Sequence, residues 1–249
     1  MFLIDLDLDL YAPGGAQFLK DAAGFFEIKK TDKLLEVGSS GGFNSLFFAK
    51  KYGCSATATD INPAWIPVIL EKAKKEKLEK VIKAQAEDIL DLTPRKNTYN
   101  IVLANAVVFL ADKTGSLQQI NRVLKNGGIL ILGEPVWLKE EPPLNLKMTL
   151  NVSGAEVLTV DRYRKLLSEN GFEIIGEKIY QFSFWDTYHA PLLAKINSWK
   201  KEHSPLLTKY VSEIDAILEE TEKIRQFGEG NLGYSLFVAK KIGPAVIKL

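Results

Sequence analysis

Apolar positions along the chain keep two rhythms. Short apolar runs, such as Leu34-Leu35 with Val37 and Ile101-Val102-Leu103-Ala104, predict buried strands. Between them, apolar residues return at helical spacing. Phe18, Leu19, Ala22, Ala23 and Phe26 predict an amphipathic helix over about 15–26, ahead of the first strand. Strand and helix then alternate from Lys33 to about Glu134, the pattern of a parallel sheet covered on both faces. In 159–170, Thr159 reads as a helix cap, Asp161 sits in the first turn, and Asn170-Gly171 is the stop. Residues 172–180 and 234–240 read as further strands.

Two stretches break this alternation. Residues 136–158 run from a Trp137 loop through Pro142-Pro143 into an apolar segment, and 183–228 carry two helical stripes. Leu192, Ile196 and Trp199 make the first stripe; Tyr210, Ile214, Ile217 and Ile224 lie on the second, with a break near Ser204-Pro205. Near the start, the apolar–Asp alternation from Leu6 to Leu10 has the period of a strand and predicts an arm or sheet edge open to a second copy of the chain. The organisation expected is one domain over 1–249. Its arm and first helix are 1–30, its core 31–135, and its substrate-side lid insertions 136–158 and 183–228.

The richest chemistry lies where the first strand ends. Glu36-Val-Gly38-Ser-Ser40-Gly41-Gly42 turns sharply into a helix, and such glycines let backbone approach a ligand. Eighteen residues past Gly42, a second apolar stretch ends on Asp60, which a parallel neighbour would place beside the turn. An acid there can accept both hydroxyls of a ribose. A dinucleotide fingerprint requires Gly-x-Gly-x-x-Gly, but Ser40 and Phe43 stand where two of the glycines belong, which disfavours a nicotinamide oxidoreductase. In a sheet of this kind Glu36, Gly38, Asp60, Asn105 and Glu134 all fall at strand ends facing one cleft.

The alternate-position pattern Glu36-x-Gly38-x-Ser40-x-Gly42 resembles motif I of the class I S-adenosylmethionine-dependent methyltransferases. The block Arg122-Val-Leu124-Lys-Asn126-Gly127-Gly128-Ile129 is similar to the family's helix, glycine stop and fifth strand. The resemblance implies a doubly wound α/β fold with a seven-stranded, mostly parallel sheet, an antiparallel last strand and helical lid insertions. It implies S-adenosyl-L-methionine as cofactor, Glu36 at its methionine end, Gly38, Ser40 and Gly42 along it, and Asp60 on its ribose. Ile61 would cover the adenine face, Glu87, Asp88 or Gln85 would read the adenine edge, Asn105 would line the cleft, and Tyr11 would close over it. Methyl transfer to a small molecule is the implied activity; the competing reading is a non-catalytic module that binds the same cofactor. A polyamine synthase on this fold would need an acidic pair that the sequence does not supply.

Composition narrows the partners. Lys and Arg total 32 against 31 acids, so the net charge is +1, and a nucleic-acid partner is not expected. No apolar run reaches the roughly 20 residues that span a bilayer, and the amino-terminal stretch, with three aspartates, is not read as a signal peptide. Cys54 is the single cysteine, which excludes an internal disulfide and a cysteine-rich metal site and makes a cytoplasmic location the expectation. Two groups remain as candidate catalytic contacts for the acceptor. Glu134 ends the fifth strand, and His189 lies in an aromatic segment before the lid; His203 follows a charged run and is expected in solvent.

Overall fold

The computed structural model describes residues 2–8, 11–151, 155–203 and 207–243. Four parallel strands and their helices build the first half: β1 (Lys33–Val37), α3 (Phe43–Tyr52), β2 (Ser55–Asp60), α4 (Trp65–Lys75), β3 (Ile82–Ala86) and β4 (Tyr99–Asn105). They follow α1 (Phe2–Asp5) and α2 (Gly15–Ala23). After α5 (Lys113–Val123) comes the long β5 (Leu124–Trp137), then α6 (Leu144–Asn151), β6 (Leu158–Thr159), α7 (Val160–Glu169) and β7 (Phe172–Tyr180). The chain ends its described course with α8 (Asp186–Glu202), α9 (Leu207–Phe227) and β8 (Leu232–Lys241).

The sheet order is β3-β2-β1-β4-β5-β8-β7, with the two-residue β6 extending the far end of β5. Strand β8 runs antiparallel between β5 and β7, as the resemblance implies. Order reverses between β1 and β4, so a crevice opens at the carboxyl ends of these two strands. Strand β5 outruns its neighbour, since Asn105 pairs with Gly133 and β4 stops there. That explains Pro135 inside a central strand. Gly133 O accepts the Ala106 N–H at 2.7 Å on the β4 side; two residues on, Pro135 faces the same side past the end of β4, where its missing N–H is not needed.

Each face of the sheet buries its own apolar cluster, one with Leu34, Phe48 and Ile131, the other with Leu35, Val102 and Phe237. A third cluster lies under the lid and corrects the expected strand-like arm. Phe2 and Leu6 are one helical turn apart and fully withdrawn from water, packed with Leu8 against Trp199 and Tyr210 of the lid helices. Helical spacing of the two largest apolar contacts outweighs the alternation, so residues 2–5 coil and the described residues of the arm form no strand. Asp9 and Leu10 of that reading, and the break at Ser204-Pro205, lie outside the described residues. Thr159 does stand at the amino end of α7, yet its hydroxyl makes no cap bond. No helix of the described residues is long and apolar enough to cross a membrane.

Candidate active site

Strand β1 delivers the chain to the turn at 38–42. Gly38 has φ +64°, and a Cβ on it would sit 2.5 Å from Val107 Cγ2. Both facts exclude a side chain. Gly42, at φ +77°, opens α3 and donates its N–H to Ser39 O at 2.7 Å. Asp60, at the end of β2, ties the turn to the next loop: Oδ2 accepts from Ser40 N at 2.8 Å and Oδ1 from Asn62 N at 2.9 Å. An ionised carboxylate offers about four acceptor sites, so each oxygen keeps capacity for another donor.

Around Asp60 the neighbours are complementary to a nucleoside. Ile61 is 69 % exposed, an apolar side chain held in water beside a buried acid. Glu87 N donates to Asp60 O at 3.0 Å, which brings Glu87 alongside. Its Oε1 accepts from Gln85 Nε2 at 2.7 Å, while Oε2 is buried without a hydrogen-bond partner. Asp88 is occupied differently, for its Oδ1 accepts from Leu90 N and holds its own turn.

The glycine turn leads into a half-open recess of about 60 Å³ lined by Tyr11, Gly38, Ser40, Gly41, Asn44 and Asn105, among others. Typical ligand pockets measure roughly 300–1,000 Å³, so this recess is tighter than a ligand site of that kind. Tyr11 is the cover. Its hydroxyl donates to Leu3 O at 3.0 Å and accepts from Leu8 N at 3.1 Å, and its ring meets Trp65 edge-on at 4.8 Å. Thr187 Oγ1 at the start of α8 accepts from Gly14 N at 2.6 Å, fastening the same arm to the lid.

Three sequence expectations change. Glu36 does not face this space; it is buried, with Oε1 accepting from Asn44 Nδ2 at 2.7 Å and Oε2 accepting from Ser45 N and Oγ at 2.9 and 2.5 Å. It therefore caps the first turn of α3 from the neighbouring strand. Burial pushes its carboxyl up to about 7 despite those donors. Glu134 is likewise not an acceptor contact. It is fully buried and accepts from the backbone N–H groups of Val107, Val108 and Phe109 at 3.4, 2.9 and 3.0 Å. Burial lifts it to about 8, against the pull of those three amides. The loop it holds is the one that meets Gly38.

His189 is 2 % exposed and belongs to the inward stripe of α8, one turn from Leu192, with Trp185 and Tyr188 against its ring. Burial holds its pKa down near 4, so it is a neutral core residue. Tyr234 was not singled out by its sequence. Its buried hydroxyl donates to Asn105 Oδ1 at 2.7 Å across 129 residues of chain. With the phenol proton on Oδ1, the amide is turned with Nδ2 away from Tyr234. Gly133 makes room for it, since a Cβ there would meet Asn105 Oδ1 at 2.2 Å.

Comparison with known proteins agrees with this architecture. A family profile described as "Methyltransferase domain" matches residues 35–132, the stretch from β1 to β5. Phosphoethanolamine N-methyltransferase 1 of Zea mays is 21 % identical over 92 % of the chain and 45 % of its own length. The chain thus spans about half the length of that relative. The methyltransferase YodH of Bacillus subtilis is 28 % identical over 65 % of the chain and 68 % of its own length. Among solved structures, an S-adenosylmethionine-dependent methyltransferase from Thiobacillus denitrificans in complex with S-adenosyl-L-homocysteine superposes with a TM-score of 0.80 at 16 % identity, covering 95 % of this chain and 97 % of that one. Residues 35–132 therefore match the methyltransferase-domain family, and the sheet built around them has the fold of that class I S-adenosylmethionine-dependent methyltransferase.

Proposed function

We propose that the protein transfers a methyl group from S-adenosyl-L-methionine to a small-molecule acceptor. The observation that carries this reading is Asp60, aimed by the Ser40 and Asn62 amides and flanked by exposed Ile61 and the unpartnered Glu87 oxygen. In it, Asp60 accepts the ribose hydroxyls, Ile61 covers the adenine, and Glu87 rather than Asp88 accepts from the base edge. Residues 38–42 lie along the methionine half, with the Ser40 hydroxyl and the Asn105 amide beside it.

When bound, the cofactor supplies a sulfonium methyl already activated for in-line displacement. The chain's contribution is then alignment and dryness. Tyr11 and the arm must lift to admit a cofactor larger than the 60 Å³ space and then reseat to exclude water. Glu36 and Glu134 act one step removed, Glu36 fixing the first turn of α3 and Glu134 the 107–109 segment that meets Gly38.

A small acceptor is supported by the names of relatives such as the maize enzyme, which acts on phosphoethanolamine, and by the near-neutral charge of the chain. A cytoplasmic location is part of the proposal, resting on the lone, buried, free Cys54. A homodimer draws no support from the arm, which packs on its own lid. Transfer of labelled methyl from the cofactor across a panel of amine, hydroxyl and carboxyl acceptors tests the reading. Turnover of one acceptor that disappears in Asp60→Ala supports it; no transfer to any of them, with cofactor bound, leaves a binding module instead.

A further inference from the structure

The edge of the sheet opposite the cleft has a different character. There the last turn of α5, the first residues of β5 and the end of β8 surround an open cavity of about 890 Å³. It lies at the amino ends of β4 and β5, about 20 Å along β4 from Asn105 at some 3.3 Å per residue. Lys96, Arg122, Lys240 and Lys241 line it together with amide side chains such as Asn97 and Asn121, and no carboxylate is among its described lining residues.

How these cations are held is the informative point. Lys241 is 8 % exposed, and its Nζ donates to Asn121 O at 2.6 Å, Leu124 O at 2.8 Å and Asn97 Oδ1 at 3.3 Å. All three acceptors are uncharged. Arg122 is the same: its guanidinium donates to Pro94 O, Leu92 O and Gln119 Oε1. None of the four cations forms an ion pair within 4.0 Å among the described residues, although Glu173 stands opposite Lys240 in the β7–β8 register. Burial, and then the charge of Lys96, hold Lys241 below the usual lysine range. Buried charge is ordinarily balanced by a partner of opposite sign. In a chain of net charge +1, four cations around one concavity with no ion pair among the described residues are a local concentration rather than a reflection of composition.

We propose that this cavity binds a small phosphate-bearing anion. Lys96 and Lys240, both exposed, supply the direct contacts to phosphate oxygens. Lys241 and Arg122, whose donors are already engaged, supply fixed positive potential from behind. The recess is concave and local, not a stripe along a helix or strand, which favours a small ligand over a nucleic-acid strand. The site is independent of the methyl-transfer reading.

The test titrates pyrophosphate and inorganic phosphate into the full-length chain at constant ionic strength, following the thermal midpoint and calorimetric heat. Saturable stabilisation beyond that of matched chloride is expected, with the dissociation constant rising at least about tenfold in Lys96→Ala/Lys240→Ala while S-adenosylhomocysteine binding is unchanged. Three results overturn the proposal: stabilisation equal to that of chloride, undiminished phosphate binding in the double variant, or tighter binding of a duplex oligonucleotide than of pyrophosphate at the same salt.

Discussion

Replacing Gly38 with alanine probes the contact on which the pocket wall depends. Two separable costs arise. The φ of +64° puts a side chain in the left-handed region, at about 1–2 kcal/mol. The added Cβ also lies 2.5 Å from Val107 Cγ2 and 2.9 Å from Val107 Cβ, an overpacking of the kind that costs about 1–3 kcal/mol. The loop cannot simply drift away, because Glu134 binds the N–H groups of 107–109 from beneath. Urea unfolding should therefore show Gly38→Ala less stable by roughly 2–5 kcal/mol, with weakened cofactor binding. Trimming the partner separates the two costs. In a Val107→Ala background the Cγ2 clash is gone, while the 2.9 Å approach to Cβ and the backbone cost remain, so the glycine substitution should be cheaper there by about 1 kcal/mol or more. Equal cost in both backgrounds, or a single-variant cost below about 1 kcal/mol, refutes the contact.

The pH dependence of stability carries a definite sign. Burial raises the Glu36 and Glu134 carboxyls to about 7 and 8 in the folded chain, above the ordinary 4.5, so their contribution is full below pH 4.5 and is lost as pH climbs through 7 and 8. Urea midpoints taken between pH 5 and pH 8 should fall less steeply for Glu134→Gln than for the unaltered chain; a steeper fall in the variant contradicts the assignment. Tyr234→Phe removes the donor that orients Asn105, at about 0.5–1.5 kcal/mol for the lost bond. It should lower the rate with the proposed acceptor up to about tenfold, with cofactor affinity changed less; an unaltered rate would show that the amide orientation is immaterial.

What could be read in advance follows from the range of the interactions. The glycine turn, Asp60 and the Gly127-Gly128 strand entrance depend on neighbours in sequence and backbone shape, so the residues themselves carry the signal. Glu134 and His189 were legible as residues but not as roles. A carboxylate at a strand end looks the same whether it meets a ligand or three backbone amides, and the deciding partners lie 25–27 residues away. The Tyr234–Asn105 bond spans 129 residues and has no local signature. The arm misled for the opposite reason. Its alternation is genuinely strand-like, but the apolar face of the lid offered Phe2 and Leu6 more burial as a turn of helix.

The central claim is that Asp60 holds the sugar of an adenosyl sulfonium cofactor, and calorimetry with S-adenosylhomocysteine on the unaltered chain and on Asp60→Ala addresses it most directly. Hydrogen bonds to a charged acceptor contribute about 1.5–3 kcal/mol each, so the account predicts saturable heat in the first case and an affinity at least about tenfold weaker in the second. Equal binding by both proteins, or no heat from either, would contradict it.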